Sequence, residues 1–145
     1  MKFADFHAGQ VIEAGPVLVT QSEIVDYASK WDPQWFHVDA IAAEKGPFGG
    51  LIASGWHTCA IAMRLMVHAA LDGSESYASP GLESLKWLHP VRPGDKLRVA
   101  ATVTETRRSS KNPTLGILRW RWQVYNQDDV AVLDVEASNL FKLDN

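Results

Sequence analysis

The sixteen residues from Trp56 to Leu71 constrain the fold more than any other stretch of the chain. Twelve of them are apolar or aromatic, and at helical spacing they fall on nearly every face. A helix of that composition, about 24 Å long at 1.5 Å per residue, is expected to be buried on most sides rather than to rest on a surface. Other parts of the chain must wrap around it.

The second half of the sequence has the pattern of such a wrapper. Leu118, Trp120, Trp122 and Val124 alternate with Arg119, Arg121 and Gln123, and Leu133, Val135, Ala137, Asn139 and Phe141 alternate with Asp134, Glu136 and Ser138. Val99, Ala101 and Val103 continue this period of two, as do Leu85 and Trp87, which marks strands with one buried face. Turn chemistry separates them at Arg92-Pro93-Gly94-Asp95, Lys111-Asn112-Pro113-Thr114 and Asn126-Gln127-Asp128-Asp129. The first half is helical after a short extended run, Val17 to Thr20. One helix is predicted over Ser22 to Lys30, capped by Thr20 or Ser22 and stopped before Pro33, and a second over Val38 to Lys45. Strands following helices predict an α+β domain, with a curled antiparallel sheet of about five strands around the helix Trp56 to Leu71. At 145 residues a single domain spanning 1–145 is expected.

Composition narrows the function classes. The single cysteine, Cys59, forbids an intrachain disulfide and a multi-cysteine zinc site and suits a reducing compartment. The first residues, Met1 to Asp5, lack a charged lead before an apolar stretch, and no run of about 20 apolar residues occurs. A cytoplasmic protein with no membrane contact is expected. The net charge of -3 is uneven: nine Lys or Arg and two acids lie between Ser84 and Tyr125. Nucleic acid is an improbable partner for a chain acidic overall and without a recognised binding motif. Arg107, Arg108 and Lys111 are instead candidate contacts for ligand phosphates, against the plainer reading of a solvated sheet face.

Two segments carry chemistry. Asp32 and His37 lie five residues apart in Trp31-Asp32-Pro33-Gln34-Trp35-Phe36-His37, on a loop that Pro33 is expected to keep out of regular helix. The neighbouring aromatic rings would make a dry setting for a carboxylate and an imidazole. The second segment is Phe48-Gly49-Gly50-Leu51-Ile52-Ala53-Ser54-Gly55-Trp56. It lacks the Gly-Lys-Ser/Thr ending of a phosphate loop, but it leads into the long helix, whose free N–H groups and dipole favour a developing oxyanion. His57, Cys59 and His68 on that helix have no metal-ligand spacing and read as satisfied core side chains; no metal is expected.

Taken together these residues resemble the MaoC-like dehydratases, a family that includes R-specific enoyl-CoA hydratases with a hot dog fold. The family's motif is matched at Asp32, His37, Phe48-Gly49, Ile52-Ala53 and Gly55. The turn Pro90-Val91-Arg92-Pro93-Gly94-Asp95 and Asn126-Gln127 add to the match. Gln34 stands where the family has Asn, Trp35 where it has Pro, and Ser54 where many members have His. The resemblance implies that Asp32 and His37 form a catalytic pair and that the Gly55 N–H holds a thioester oxygen. It places Trp35, Phe48, Gly49, Ser54 and Trp56 among the substrate contacts, with Trp35 narrowing the acyl pocket. It implies hydration or dehydration of an acyl thioester, coenzyme A entering only as part of the substrate, and a homodimer or larger assembly. A thioesterase and a non-catalytic acyl-thioester binder stay open as alternatives, since one fold serves several activities. The helix Trp56 to Leu71 contains no carboxylate, which favours the hydratase.

Overall fold

The alternating runs become one six-stranded antiparallel sheet in the computed structural model, which describes residues 1–144. Its strands are β1 (Val11–Leu18), β2 (Ser76–Ala78), β3 (Leu82–Trp87), β4 (Lys96–Arg108), β5 (Leu115–Tyr125) and β6 (Ala131–Lys142). The order is β1-β4-β5-β6, and β2 and β3 share the far side of β6. The three-residue β2 accounts for the strand beyond the five expected. Period-two patterning puts Leu97, Val99, Ala101 and Val103 of β4 on the buried face with Leu118, Trp120, Trp122 and Val124 of β5 and Leu133, Val135, Ala137 and Phe141 of β6. Register aligns them across strands: Trp122 lies opposite Ala101 on one side and Val135 on the other. The buried Trp120 indole donates to Asn139 Oδ1 at 3.1 Å, so its one polar atom has a partner.

The turns form as their chemistry dictates. Asp95 accepts from the backbone N–H of Arg92 and from Gln127, and Asn126 Oδ1 accepts from the N–H groups of Asp128 and Val130. β1 is irregular between Ala14 and Val17, where Gly15 has φ +95° and a Cβ would lie 2.8 Å from the Leu97 carbonyl oxygen. Only glycine fits so close to the neighbouring strand.

Four α-helices precede β2: α1 (Gln21–Trp31), α2 (Trp35–Val38), α3 (Ala40–Glu44) and α4 (Gly55–Met66). Thr20 caps α1 by accepting from the Glu23 N–H, which settles the choice between Thr20 and Ser22. The helix predicted over Val38 to Lys45 forms as α3, and a separate short helix, α2, precedes it. Asp39 ends α2 and caps α3 by accepting from the Ala42 N–H.

The long helix differs from expectation in two ways. It is α-helical from Gly55 to Met66 and winds as a π-helical turn over Val67–Leu71. Nor is it buried on most sides. The sheet covers a stripe of His57, Thr58, Ala62, Met66 and Ala70, while Trp56, Ala60, Met63, Arg64 and His68 are exposed. One sheet reaches one side of a helix, so Cys59, Ile61, Leu65 and Leu71 are only partly covered and Trp56, Ala60 and Met63 are left exposed. No helix among the described residues is long and apolar enough to cross a membrane.

Candidate active site

One buried extended segment, Leu51 to Ser54, organises the site. The Ile52 N–H donates to Phe36 O at 3.2 Å and the Ala53 N–H donates to Val91 O at 2.8 Å. The segment therefore ties α2 to the β3–β4 loop before it enters α4. All four of its residues are buried.

His37 lies within α2, not on the irregular loop expected from Pro33. Pro33 ends α1, but the chain re-enters helix two residues later, which turns the imidazole inward. His37 is 4% exposed, and its Nδ1 is 2.7 Å from Ile52 O. A carbonyl oxygen only accepts, so Nδ1 carries the hydrogen and Nε2 of the neutral ring keeps its lone pair. Nε2 is 3.3 Å from Asp32 Oδ2.

Asp32 ends α1, its backbone N–H bonded to Ala28 O. Gln34 Nε2 donates to Oδ1 at 2.8 Å, and Ser54 Oγ donates to Oδ2 at 2.7 Å. Burial would raise the Asp32 pKa, but the Ser54 and Gln34 donors and the nearby His37 outweigh it and hold the carboxyl below its ordinary value. Asp32 is thus a fixed carboxylate with His37 Nε2 in direct contact with its Oδ2.

The first turn of α4 faces the pair. Ser54 O accepts from the His57 and Thr58 N–H groups, and the N–H groups of Gly55 and Trp56 have no protein acceptor among the described residues. They are free donors at a positive helix terminus. Asp32, His37, Gly55, Phe48 and Trp56 line a cavity of about 500 Å³ with Thr58, Trp87 and the loop Leu88 to Val91.

The remaining expected contacts scatter. Trp35 does not line the cavity. Its ring covers Gly46, where a Cβ would lie 2.6 Å away, and so it does not narrow that cavity. Gly49, with φ +66°, shapes the turn beside Phe48 and is also outside the lining. Ser54 is fully buried and reaches Asp32 instead of open space. Phe48 does line the cavity, and its carbonyl accepts from Arg92 Nη2 at 2.7 Å.

Arg107, Arg108 and Lys111 are not brought to the cavity. They lie at the end of β4 and in the following hairpin, about 35 Å of strand from the Arg92 to Asp95 turn at 3.3 Å per residue. Arg108 donates to Pro113 O and Arg107 pairs with Glu105 at 3.4 Å. Much of the basic block is matched by carboxylates that the sheet brings alongside: Arg119 meets Glu83 and Glu105, Arg121 meets Asp134, and Arg98 meets Asp129.

His57 departs from the satisfied core residue expected. It stacks on Tyr27 with centroids 4.6 Å apart, and its Nδ1 is buried without a partner. Burial pushes its pKa down, with partial opposition from Glu23. Cys59 is half-buried and His68 exposed. Sequence reasoning missed Thr58, Trp87 and His89 as lining residues. Trp87 carried only a strand signal, and His89 only that of a surface loop. No cluster of three or more His, Cys, Asp or Glu suited to a metal occurs among the described residues.

A family model for the MaoC like domain matches residues 4–119. The chain belongs to the MaoC-like dehydratase family. An uncharacterized protein of Bacillus subtilis, YdeM, is 35% identical over 142 residues, 98% of this chain and 99% of that protein. The 3-hydroxyacyl-thioester dehydratase Z of Mycobacterium tuberculosis is 34% identical over 89 residues, 60% of this chain and 59% of that one, so the match spans less than two thirds of that dehydratase. Among solved structures, the MaoC-like dehydratase from Rhodospirillum rubrum superposes with a TM-score of 0.89 at 34% identity, covering 98% of this chain and 97% of that one. A Mycobacterium tuberculosis protein with a double hotdog fold superposes with a TM-score of 0.78 at 20% identity, covering 98% of this chain and 44% of its own. The curled antiparallel sheet around α4 is the hot dog fold.

Proposed function

We propose that this MaoC-like dehydratase adds water across the α,β double bond of an enoyl-CoA, and removes it in reverse, giving the R-3-hydroxyacyl thioester. The observation that carries this reading is the convergence of Asp32 Oδ2 and His37 Nε2 at 3.3 Å in the cavity that the first turn of α4 also faces. The thioester oxygen accepts from the Gly55 N–H, with the α4 dipole aiding the polarisation. That withdraws electron density from Cβ. A water molecule held by Asp32 and His37 adds its oxygen to Cβ, and the pair takes up its proton. The C=C π electrons move toward the carbonyl to give an enolate. Return of the proton to Cα regenerates the pair, so one water is added in all. The reaction draws on no metal or redox group, and coenzyme A takes part only as the carrier of the acyl chain.

The site is proposed to work in a homodimer. The outer edge of β3 is open, and Trp56, Met63, Leu82, Trp87 and Leu88 are exposed beside it. An unpaired edge next to apolar side chains favours pairing with a second copy, and the double hotdog relative carries two units in one chain. Sedimentation should give twice the chain mass.

The activity is tested by following the conjugated absorbance of crotonyl-CoA with free thiol measured in parallel. Loss of the band without thiol release supports hydration, and chiral analysis of the product tests the R assignment. Thiol release alone would establish a thioesterase and overturn the reading.

A further inference from the structure

A second cavity lies between α4 and β3. It measures about 280 Å³ and is lined by Cys59, Ala60 and Met63 of α4, by Leu82 and Leu85 of β3, and by sheet residues that include Trp122. These residues are almost wholly apolar. Leu85 and Trp87 project from the same face of β3, being two residues apart. Trp56, Ala60 and Met63 follow one face of α4 at intervals of four and three. Both cavities therefore occupy one groove between α4 and β3, and Trp56 and Trp87 stand at the catalytic end of it.

Those two rings meet edge to face, with centroids 5.1 Å apart at 82°. The Trp87 indole also lies hard against Gly55: a Cβ there would come within 2.5 Å of Cε2 and of Nε1. Any side chain at position 55 would displace the ring, so the absence of one is what lets Trp87 close over the groove. Within a single chain Trp87 is 45% exposed and Trp56 58%, so neither ring is locked into that chain's own core.

Resting on the hydratase reading, we propose that Trp87 is a specificity-determining residue that limits this site to short acyl groups. Its indole shuts the passage from the catalytic cavity into the apolar one. An acyl chain entering past Gly55 meets the face of the indole within the catalytic cavity. With the ring removed, the chain runs on between Cys59, Met63 and Leu85, where each buried methylene is worth about a fourfold gain in affinity.

The test separates binding from turnover. Binding of butyryl-CoA and octanoyl-CoA is measured by calorimetry for the wild type, Trp87→Ala and Trp87→Leu, and hydration of crotonyl-CoA and oct-2-enoyl-CoA is followed alongside. The wild type is expected to favour the four-carbon chain. Both substitutions should shift the octanoyl to butyryl affinity ratio at least tenfold toward octanoyl, and the hydration ratio with it. Met63→Trp added to Trp87→Ala should refill the apolar cavity and restore the short-chain ratio. An unchanged affinity ratio in Trp87→Leu, a variant that keeps an apolar side chain on the strand, overturns the gate. Absence of hydration for every enoyl-CoA, with the affinity ratio still shifting, would overturn the hydratase reading and leave the gate standing.

Discussion

The inner face of β4–β6 and the groove between α4 and β3 use the same residue types for opposite ends. On the inner face, Trp120 and Trp122 are 1% and 7% exposed and pack edge to face at 5.3 Å. In the groove, Trp56 and Trp87 make a similar edge-to-face contact with both rings half in solvent. The aromatic chemistry is the same, and only the surroundings differ. The sheet face is closed on itself and carries stability. The groove is left open beside free N–H groups and a converging carboxylate and imidazole, where the proposed chemistry would take place.

Substitutions in the two regions should separate activity from stability. The largest effect is expected from Asp32→Asn or His37→Ala, which should lower kcat/KM for crotonyl-CoA about ten-thousandfold, or ~5 kcal/mol of transition-state stabilisation. The far-ultraviolet circular dichroism should be unchanged. A loss of only a few-fold would remove the pair from the reaction. Trp120→Ala reverses the pattern. It should cost about 3–4 kcal/mol in a denaturant titration, through the cavity it leaves and through the lost Asn139 contact, whereas Trp87→Ala should cost less than about 1 kcal/mol.

Ser54→Ala sharpens the comparison at a single atom. Ser54 is as buried as the sheet core, yet its hydroxyl serves the site by donating to Asp32. Asp32 is held below its ordinary value, so the wild-type carboxylate stays charged as pH falls through the usual carboxylate range. Its contribution to stability is present above the unfolded value and is lost as pH falls through the lowered one. Without the Ser54 donor the pKa rises, and the acidic limb of the kcat/KM profile should move to higher pH, with about a tenfold loss at neutral pH. An acidic limb that stays in place would reduce Ser54 to packing.

The smallest effect is expected from Arg107→Glu with Arg108→Glu. These residues lie far along β4 from the cavity within the chain, so KM for crotonyl-CoA at low salt should change less than about twofold. A large rise in KM would mean that a second subunit brings this hairpin to the substrate.

The contact between Asp32 and His37 and the sheet face were legible in the sequence because each depends on short-range order. Asp32 and His37 are five residues apart, and period-two alternation marks Leu118 to Val124 with no knowledge of any partner strand. The tryptophans show where that legibility ends. Trp35 lies between Asp32 and His37 in sequence, yet α2 turns it onto Gly46. Trp87 reads as a sheet residue and nothing else, yet the β3 edge lays it over Gly55, 32 positions earlier in the chain. Proximity across the fold leaves no local pattern when the contact is a ring against a glycine.

The sequence by itself determined a helix too apolar to stand alone, strands with one buried face, and an acid and a base held close by a short stretch of chain. Those follow from periodicity and from backbone chemistry, which act over a few residues. Only the tertiary structure decided that the helix is covered on one side, that Ser54 and Gln34 fix Asp32 as a carboxylate, that Ile52 fixes the tautomer of His37, and that Trp87 lies against Gly55. Each of these depends on which surfaces the sheet brings together, and burial and hydrogen bonding at a given atom are set by neighbours distant in the chain.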